Sequence, residues 1–454
     1  MRRLAPALAA LSLAGVLLTA CTRLGASREP RRSDADLLHQ AVQDVTGTMV
    51  YDIISPPQAS RAYAYAGVAA YEAMRPGHPE YRTFAGQLRG LTPVPAPPAG
   101  ELDYGLAGVH AYMTVGRMLT FSRARMDSLR AAMDARFKAR GMNDSTYARS
   151  VGYGEAVAKH VLAWAGTDRF LQTRGSPKFS VTGEPGRWTP TPPAYMDAVE
   201  PNWGKLRPFV MDSANQFSPA PPYPFDTART SPFMREALEV HDIGKRLTPE
   251  QRAIANFWEC NPYTLHVQGH TMFATKKLSP GGHWVEIAGL AARKAHADGM
   301  RTAAVYARTS VALADGFISA WYEKYRSSVM RPETVINRYV DEAWEPLLQT
   351  PPFPEYSSGH SVISPAAAAV LTDEFGPNFA YADSAEVPWG QPPRTYPSFA
   401  AAATEAGISR LYGGIHYRRA IDQGAAQGAQ VGALVVARVK TRGEPTVAAR
   451  GEAR

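Results

Sequence analysis

The chain has 454 residues, 45% of them hydrophobic, so it can bury a large core and is long enough for two domains. Its formal charge is +8, a modest surplus. No dense Lys/Arg run interleaves with aromatic residues, which argues against nucleic acid as a partner.

At the N-terminus, Arg2 and Arg3 precede an apolar stretch from Leu4 to Leu18 that ends in Leu18-Thr19-Ala20-Cys21. A basic start, a short apolar run and small residues before the cut describe a secretory signal peptide over residues 1–20, and the run is short for a spanning helix. Losing Arg2 and Arg3 takes the formal charge from +8 to +6. The Leu-Thr-Ala-Cys pattern resembles the bacterial lipoprotein cleavage box, which implies that Cys21 becomes the lipidated first residue; the alternative is an ordinary signal with an incidental cysteine. Residues 21–33, with Arg23, Arg28, Arg31 and Arg32 around Pro30, read as a flexible lipidated tether. No other stretch is long and apolar enough to span a bilayer, so the expectation is a soluble body held at the membrane by its lipid, in the bacterial cell envelope. Thr22 stands where an Asp, by family analogy, would mark inner-membrane retention, which points to the outer membrane facing the periplasm. With Cys21 acylated, Cys260 has no disulfide partner, and beside Phe257 and Trp258 it reads as a buried apolar filler.

From Asp34 the texture becomes helical. Gln58–Met74 is rich in Ala and Tyr after the start signal Pro56-Pro57, and a proline-rich break follows at 92–98. Helical spacing then runs through Tyr104–Leu119, Ser122–Arg140 and Ser145–Ala165. Together these predict an N-terminal helical bundle over 34–172. Residues 173–231 are rich in proline, carry Trp188 and Trp203, and show little periodicity; they predict an ordered irregular excursion over one face. Helical texture resumes at Pro232 and continues to Arg438, densest in Trp284–Ser327, predicting a second bundle over 232–440 and a flexible tail over 441–454. Strand-like alternation is sparse, so the expected fold is all-α, two helical bundles joined by the excursion.

Three short segments of the second bundle carry the chemistry. Lys324 and Arg331-Pro332 come first, with six residues between Lys and Arg. If the backbone there stays helical, seven positions are about two turns and place both cations on one face; Pro332 fits the first position of a new helix that includes Val335 and Ile336. Tyr356-Ser357-Ser358-Gly359-His360 comes second, between a proline-rich turn and an Ala-rich helix over 361–375. That puts the Gly359 and His360 amides at a helix N-terminus, where free N–H groups and the dipole favour an anion. Ser409-Arg410 and His416 come third, around the turn Gly413-Gly414, with His416 opening the last helix. Singly, each segment reads as a solvated basic surface, a helix cap or a core histidine. Together they supply what holds a tetrahedral oxyanion: bidentate guanidinium donors, a lysine point charge, a hydroxyl and a glycine amide that no Cβ obstructs, and two imidazoles.

The order and spacing resemble the superfamily of vanadium-dependent haloperoxidases and type 2 phosphatidic acid phosphatases, whose pattern is Lys-x6-Arg-Pro, Pro-Ser-Gly-His and Ser-Arg-x5-His-x3-Asp. The wider chain looks closest to the bacterial vanadium haloperoxidase group, through Ser55-Pro56-Pro57-Gln58-Ala59-Ser60-Arg61 and Thr350-Pro351-Pro352-Phe353-Pro354-Glu355-Tyr356. The resemblance implies two bundles of the vanadium chloroperoxidase type, with vanadate or phosphate bound by Lys324, Arg331, Ser358, Gly359 and Arg410. It implies His416 as ligand to vanadium, or nucleophile toward phosphorus, and His360 as the acid–base group. Two positions depart from the pattern: Ser357 replaces the proline, and Ala420 stands where the family often shows Asp. The nearest acid, Asp422, is rotated roughly 240° from His416 on a helix, so a backbone carbonyl or a distant acid must orient that imidazole.

The leading expectation is a peroxidase that oxidises halide with hydrogen peroxide at vanadate; the runner-up is an acid phosphatase acting on a phosphomonoester, with His416 as nucleophile and His360 as general acid. A non-catalytic oxyanion-binding lipoprotein is the third, and the pair of histidines argues against it, since capture needs only cations and amides. Length favours the peroxidase. His266 and His270, with Glu259 and His283, form a rival zinc constellation if a helix carries them, although Pro262 and Gly269 disfavour that helix.

Overall fold

A computed structural model describes residues 32–443. The signal peptide, Cys21, Thr22, the tether through Arg31 and the tail from residue 444 lie outside the described residues. The N-terminal half contributes α1 (Asp34–Tyr51), α2 (Pro56–Met74), α3 (Tyr104–Leu119), α4 (Arg123–Lys138), α5 (Asp144–Ala165) and α6 (Phe170–Arg174). The C-terminal half contributes α7 (Pro232–Lys245), α8 (Pro249–Phe257), α9 (Pro280–Lys294), α10 (Gly299–Ser327), α11 (Pro332–Tyr339), α12 (Gly359–Phe375), α13 (Phe399–Tyr412) and α14 (Arg418–Arg438). The fold is all-α apart from two short antiparallel hairpins, β1 (Thr264–Gln268) with β2 (Thr271–Thr275), and β3 (Tyr381–Asp383) with β4 (Arg394–Tyr396).

Helix starts follow from local chemistry. Ser33 caps α1 in a reciprocal box with Asp36, and Thr248 caps α8 with Gln251 in the same way. Proline occupies the first turn of α2, α7, α8, α9 and α11, where its missing N–H costs nothing. The Ala-rich α2 is buried on nearly every side, and its small residues let α10 approach closely: a Cβ on Gly67 would stand 3.0 Å from Ala307 Cα. One hydrophobic cluster therefore runs from Leu37 to Val439 through both halves.

Residues 173–231 run mostly without regular secondary structure and are anchored at three places. Trp188 and Trp203 are buried. The Trp188 N–H donates to Ser328 O (2.8 Å), and Met330 N–H donates to Gly186 O (3.0 Å). The fully buried Asp315 of α10 accepts the N–H groups of Phe209 (2.6 Å), Val210 (2.8 Å) and Met211 (3.0 Å). Closer to the C-terminus, α12 and α14 pack at backbone distance. Gly424, Gly428 and Gly432 line one stripe of α14, and a Cβ on Gly428 would meet Val362 O at 1.9 Å.

Candidate oxyanion site

Lys324 lies in the last turn of α10, but the helix stops at Ser327, where Ser328 takes a left-handed conformation (φ 49°). Two continuous helical turns therefore do not link the cations: the chain leaves the helix and Arg331 is the N-cap of α11. Both cations still converge, because the extended residues Val329 and Met330 pair with the excursion at Arg187 and Gly186 and aim Arg331 back toward the end of α10. Pro332 opens the new helix, which includes Val335 and Ile336, as expected. Phe353 lies between the two charges, 5.1 Å from Lys324 Nζ and 5.0 Å from Arg331 Cζ, close enough for cation–π attraction.

Ser358 caps α12, its Oγ accepting from Ser361 N–H, so the Gly359 and His360 amides sit in the first turn. Nothing in the protein blocks a Cβ at Gly359; the nearest atoms would be Trp321 Cζ3 at 3.6 Å and Lys324 Cε at 4.0 Å. The glycine's contribution is the space it leaves in the cavity it lines. Arg410 belongs to the last turn of α13 and His416 precedes α14 by two residues, one position outside its cap Tyr417, instead of opening the helix.

Lys324 Nζ donates to three carbonyls, Pro354 (3.1 Å), Glu355 (3.0 Å) and Ser357 (2.6 Å). Its ammonium therefore acts as a buried point charge that organises the 354–358 loop. Arg331 Nε donates to Phe353 O (2.8 Å), and its Nη1 to Ile415 O (2.9 Å) and His416 Nε2 (3.2 Å). Arg410 Nη2 donates to Trp258 O (2.6 Å). Burial holds Lys324 well below the usual lysine range, aided by Arg331, and lowers Arg331 and Arg410 to about 10. All three cations stand clustered in the interior, an arrangement that an anion between them would relieve.

The orienting partner of His416 is Glu355. His416 Nδ1–H donates to Glu355 Oε1 (2.7 Å), which also accepts the Tyr417 N–H (3.0 Å). Since Arg331 Nη1–H points at Nε2, these partners assign the proton to Nδ1 and leave a lone pair on Nε2. Burial, then Arg331 and Lys324, hold His416 well below the usual imidazole range, so it is neutral. Burial pushes Glu355 up to about 8, against the pull of Arg331 and Lys324. Ala420, where the family pattern has an acid, is fully buried and its carbonyl accepts Ser358 N–H (3.1 Å). Ser357, in the proline position, uses its Oγ–H on Gln427 Oε1 (2.7 Å), and Gln427 donates to Ser319 Oγ (2.8 Å). His360 is also held neutral, first by burial and then by Arg410.

These groups meet at a cavity of about 390 Å³ lined by Gly359, His360, Arg410 and His416. Its outer wall is apolar, from Pro56, Phe317, Trp321, Pro352 and Phe353, with Met196 and Val199 supplied by the excursion. Two buried nitrogens, Arg331 Nη2 and His360 Nε2, have no protein partner. An unpaired buried guanidinium donor beside clustered cations fits a tetrahedral oxyanion such as vanadate, the free His360 Nε2 fits a proton acceptor, and the neutral His416 fits a ligand to the anion's central atom.

Other expectations are corrected. His266 lies on β1, bonded to Thr275 Oγ1 (2.9 Å), and His270 is in the exposed hairpin turn, so no helix carries them toward Glu259 and His283. Glu259 instead pairs with Lys277. Cys260 is buried but is no apolar filler: its Sγ lies 3.3 Å from His283 Nδ1 and 3.7 Å from Glu386 Oε1. Sequence reasoning missed Glu355, although it stands inside the Thr350–Tyr356 segment that carries part of the resemblance.

A family model described as the VCPO second helical-bundle domain matches residues 304–444. A bacterial vanadium-dependent iodoperoxidase of known crystal structure is 47% identical, with a TM-score of 0.87 over 92% of this chain and 100% of that one. Bacterial vanadium-dependent chloroperoxidase matches at 19% identity in its holo form (TM-score 0.63, 86% of this chain, 93% of that one). Its apo form matches at 19% identity as well (TM-score 0.64, 85% of this chain, 95% of that one); at that identity the likeness is one of fold. No curated protein matches significantly.

Proposed function

Because the chain belongs to the vanadium-dependent haloperoxidases, we propose that its cavity holds vanadate on His416 and uses hydrogen peroxide to oxidise iodide in preference to the halides that are harder to oxidise. The observation that carries this reading is the pair of unpartnered buried nitrogens, Arg331 Nη2 and His360 Nε2, facing a neutral, Glu355-oriented imidazole. Bound vanadate would supply Lewis acidity that activates peroxide toward a halide.

This chain's residues do the rest. Arg331, Arg410, the Ser358 hydroxyl and the Gly359 amide donate to the anion's oxygens, and Lys324 adds charge from behind the loop. His416 offers Nε2. His360, held neutral by burial, keeps Nε2 free to accept a proton from an incoming peroxide, and an anion beside Arg410 would raise its basicity by offsetting the cations that depress it. The apolar outer wall admits a polarisable halide and disfavours a phosphomonoester's polar leaving group. Preference for iodide is supported by the 47% identity to an iodoperoxidase.

The test is iodide oxidation by purified protein reconstituted with vanadate, with p-nitrophenyl phosphate hydrolysis assayed without vanadate in parallel. His416→Ala should fall to background. His360→Ala should lose about 10²–10⁴-fold in turnover with vanadate still bound. Strong phosphate release without halide oxidation would refute the proposal. No helix among the described residues is long and apolar enough to cross a membrane. We propose attachment through lipid on Cys21, at the outer membrane facing the periplasm; Cys21→Ser should move the protein from the membrane to the soluble fraction.

A further inference from the structure

Behind the wall of the cavity, three chain segments bring together Cys260, His283 and Glu386, none more than 2% exposed. Cys260 follows the end of α8, His283 lies in the first turn of α9, and Glu386 follows β3. Their polar atoms form a triangle: Sγ to Nδ1 3.3 Å, Nδ1 to Glu386 Oε1 3.2 Å, and Sγ to Oε1 3.7 Å. Metal–sulfur bonds of about 2.3 Å and metal–nitrogen or –oxygen bonds of about 2.0–2.1 Å at tetrahedral angles require ligand–ligand edges of about 3.3–3.6 Å. The Nδ1–Oε1 and Sγ–Oε1 edges lie within about 0.1–0.2 Å of the values for their own bond pairs, about 3.3 and 3.6 Å, and the Sγ–Nδ1 edge is about 0.3 Å shorter than its own, so an ion would part Cys260 and His283 by that much.

His283 Nε2 meets Asp383 Oδ2 at 2.8 Å, also fully buried. A proton on Nε2 donated to this carboxylate turns the Nδ1 lone pair toward Cys260 and Glu386. A carboxylate fixing the far nitrogen of a ligating histidine is the usual outer partner in zinc sites. With the Nδ1 lone pair so directed, three electron-rich atoms face one another at the edge of the cavity that Cys260 lines, and a cation between them offsets their repulsion. Sulfur, imidazole and carboxylate together select zinc over magnesium or calcium.

We propose that Cys260, His283 and Glu386 bind one zinc ion, with solvent from the cavity Cys260 lines as fourth ligand. The site is distinct from the oxyanion cup yet joined to it: the His283 ring stacks on Trp258 at 4.5 Å, and the Trp258 carbonyl holds Arg410. Its role is positional, fastening the ends of α8 and α9 and the segment after β3 behind the guanidinium.

Metal analysis of the full chain, purified from zinc-supplemented medium and dialysed, should find close to one zinc per chain. Cys260→Ser and Glu386→Gln should each lose it. Cobalt added to metal-stripped protein should give a thiolate-to-cobalt charge-transfer band that Cys260→Ser lacks. Should Cys260→Ser fail to fold, zinc content in Glu386→Gln and the cobalt band in the unmodified chain decide. No zinc and no cobalt band in the unmodified chain would leave a purely hydrogen-bonded cluster and overturn the proposal. Wild-type zinc content in folded Glu386→Gln would overturn it too.

Discussion

At the scale of single residues, the site turns on which protons are already committed. Lys324 has its three N–H groups on loop carbonyls, so its contribution to an anion is charge without a direct hydrogen bond. His416 depends on Glu355, 61 positions upstream. Helical spacing relates only residues within a few positions, which is why it correctly excluded Asp422 and could name the replacement no more closely than a distant acid. The cations, serine, glycine and histidines were legible because their types and order are what an oxyanion demands. The carboxylate was not, because its role appears only when the proline-rich loop folds under the imidazole. Glu355→Gln keeps an oxygen for Nδ1–H and the Tyr417 amide but removes the ionisable carboxyl, which can become charged when His416 takes on a cationic load or pH rises through about 8. It should weaken vanadate binding about 10–100-fold, read by titrating vanadate into metal-free protein. Unchanged affinity would show that orientation alone, and not the carboxyl's ability to ionise, prepares His416. Ser357, where the family pattern has proline, shows the opposite case: its carbonyl receives Lys324 as a proline's could, but its hydroxyl reaches Gln427, a bond a proline ring would not make.

Among the elements, periodicity placed the helices well where one face is polar, as in Ser122–Arg140 for α4, and where alanine is dense, as in α2. It could not show that Trp284–Ser327 is two helices, α9 and α10, divided at Ala295–Asp298. Nor could it show that the stripe Gly424, Gly428, Gly432 in α14 serves contact and not flexibility. Paired substitutions separate those meanings. Gly152 in α5 has nothing within 4 Å of its would-be Cβ, so Gly152→Ala should stabilise by about 0.5–1 kcal/mol. Gly428→Ala places a methyl 1.9 Å from Val362 O and must push α12 and α14 apart, costing about 1–3 kcal/mol or more. Denaturant midpoints would distinguish them, and equal effects would mean the helices re-seat freely. Asp315 offers a pH test of how the excursion is fastened to α10. Burial raises it to about 6 from 3.8, despite three amide donors. A carboxyl raised on folding stabilises fully below its unfolded value, and that contribution is lost as pH rises through the folded one. Relative to Asp315→Asn, the native protein should therefore lose about 3 kcal/mol in all as pH rises from about 3 to about 7, about two thirds of it between pH 4 and pH 6, where the slope approaches 1.36 kcal/mol for each pH unit. A flat difference would indicate that the three N–H donors keep Asp315 ionised throughout.

For the molecule as a whole, the motif-bearing half does not make the cavity alone. Its cationic floor comes from residues beyond 320, but Ile53 and Ser55 come from the connection between α1 and α2, Pro56 from the start of α2, and Met196 and Val199 from the excursion. The excursion's grip on that wall is backbone-level: Val199 O accepts Trp321 Nε1–H (3.1 Å) and Tyr325 Oη–H (2.6 Å), and Val199 N–H donates to Pro352 O (3.0 Å). Since α2 also packs along α10 through Gly67 and Ala307, removing the first half would expose the apolar face of the helix that carries Lys324. A fragment spanning 232–443 contains every residue of the proposed vanadate shell. It should nonetheless neither fold cooperatively nor bind vanadate, because α10 would lose its packing partner and leave Asp315 buried without its three donors or solvated with its helix. Co-expression with a 33–231 fragment should restore both properties, since the connection near residue 231 is a surface turn before the Ser231 cap of α7. Circular dichroism melts and vanadate titration of the fragment, alone and complemented, supply the measurement. Native affinity in the isolated fragment would mean that the cup is organised by its own loops, and that the N-terminal half only roofs it.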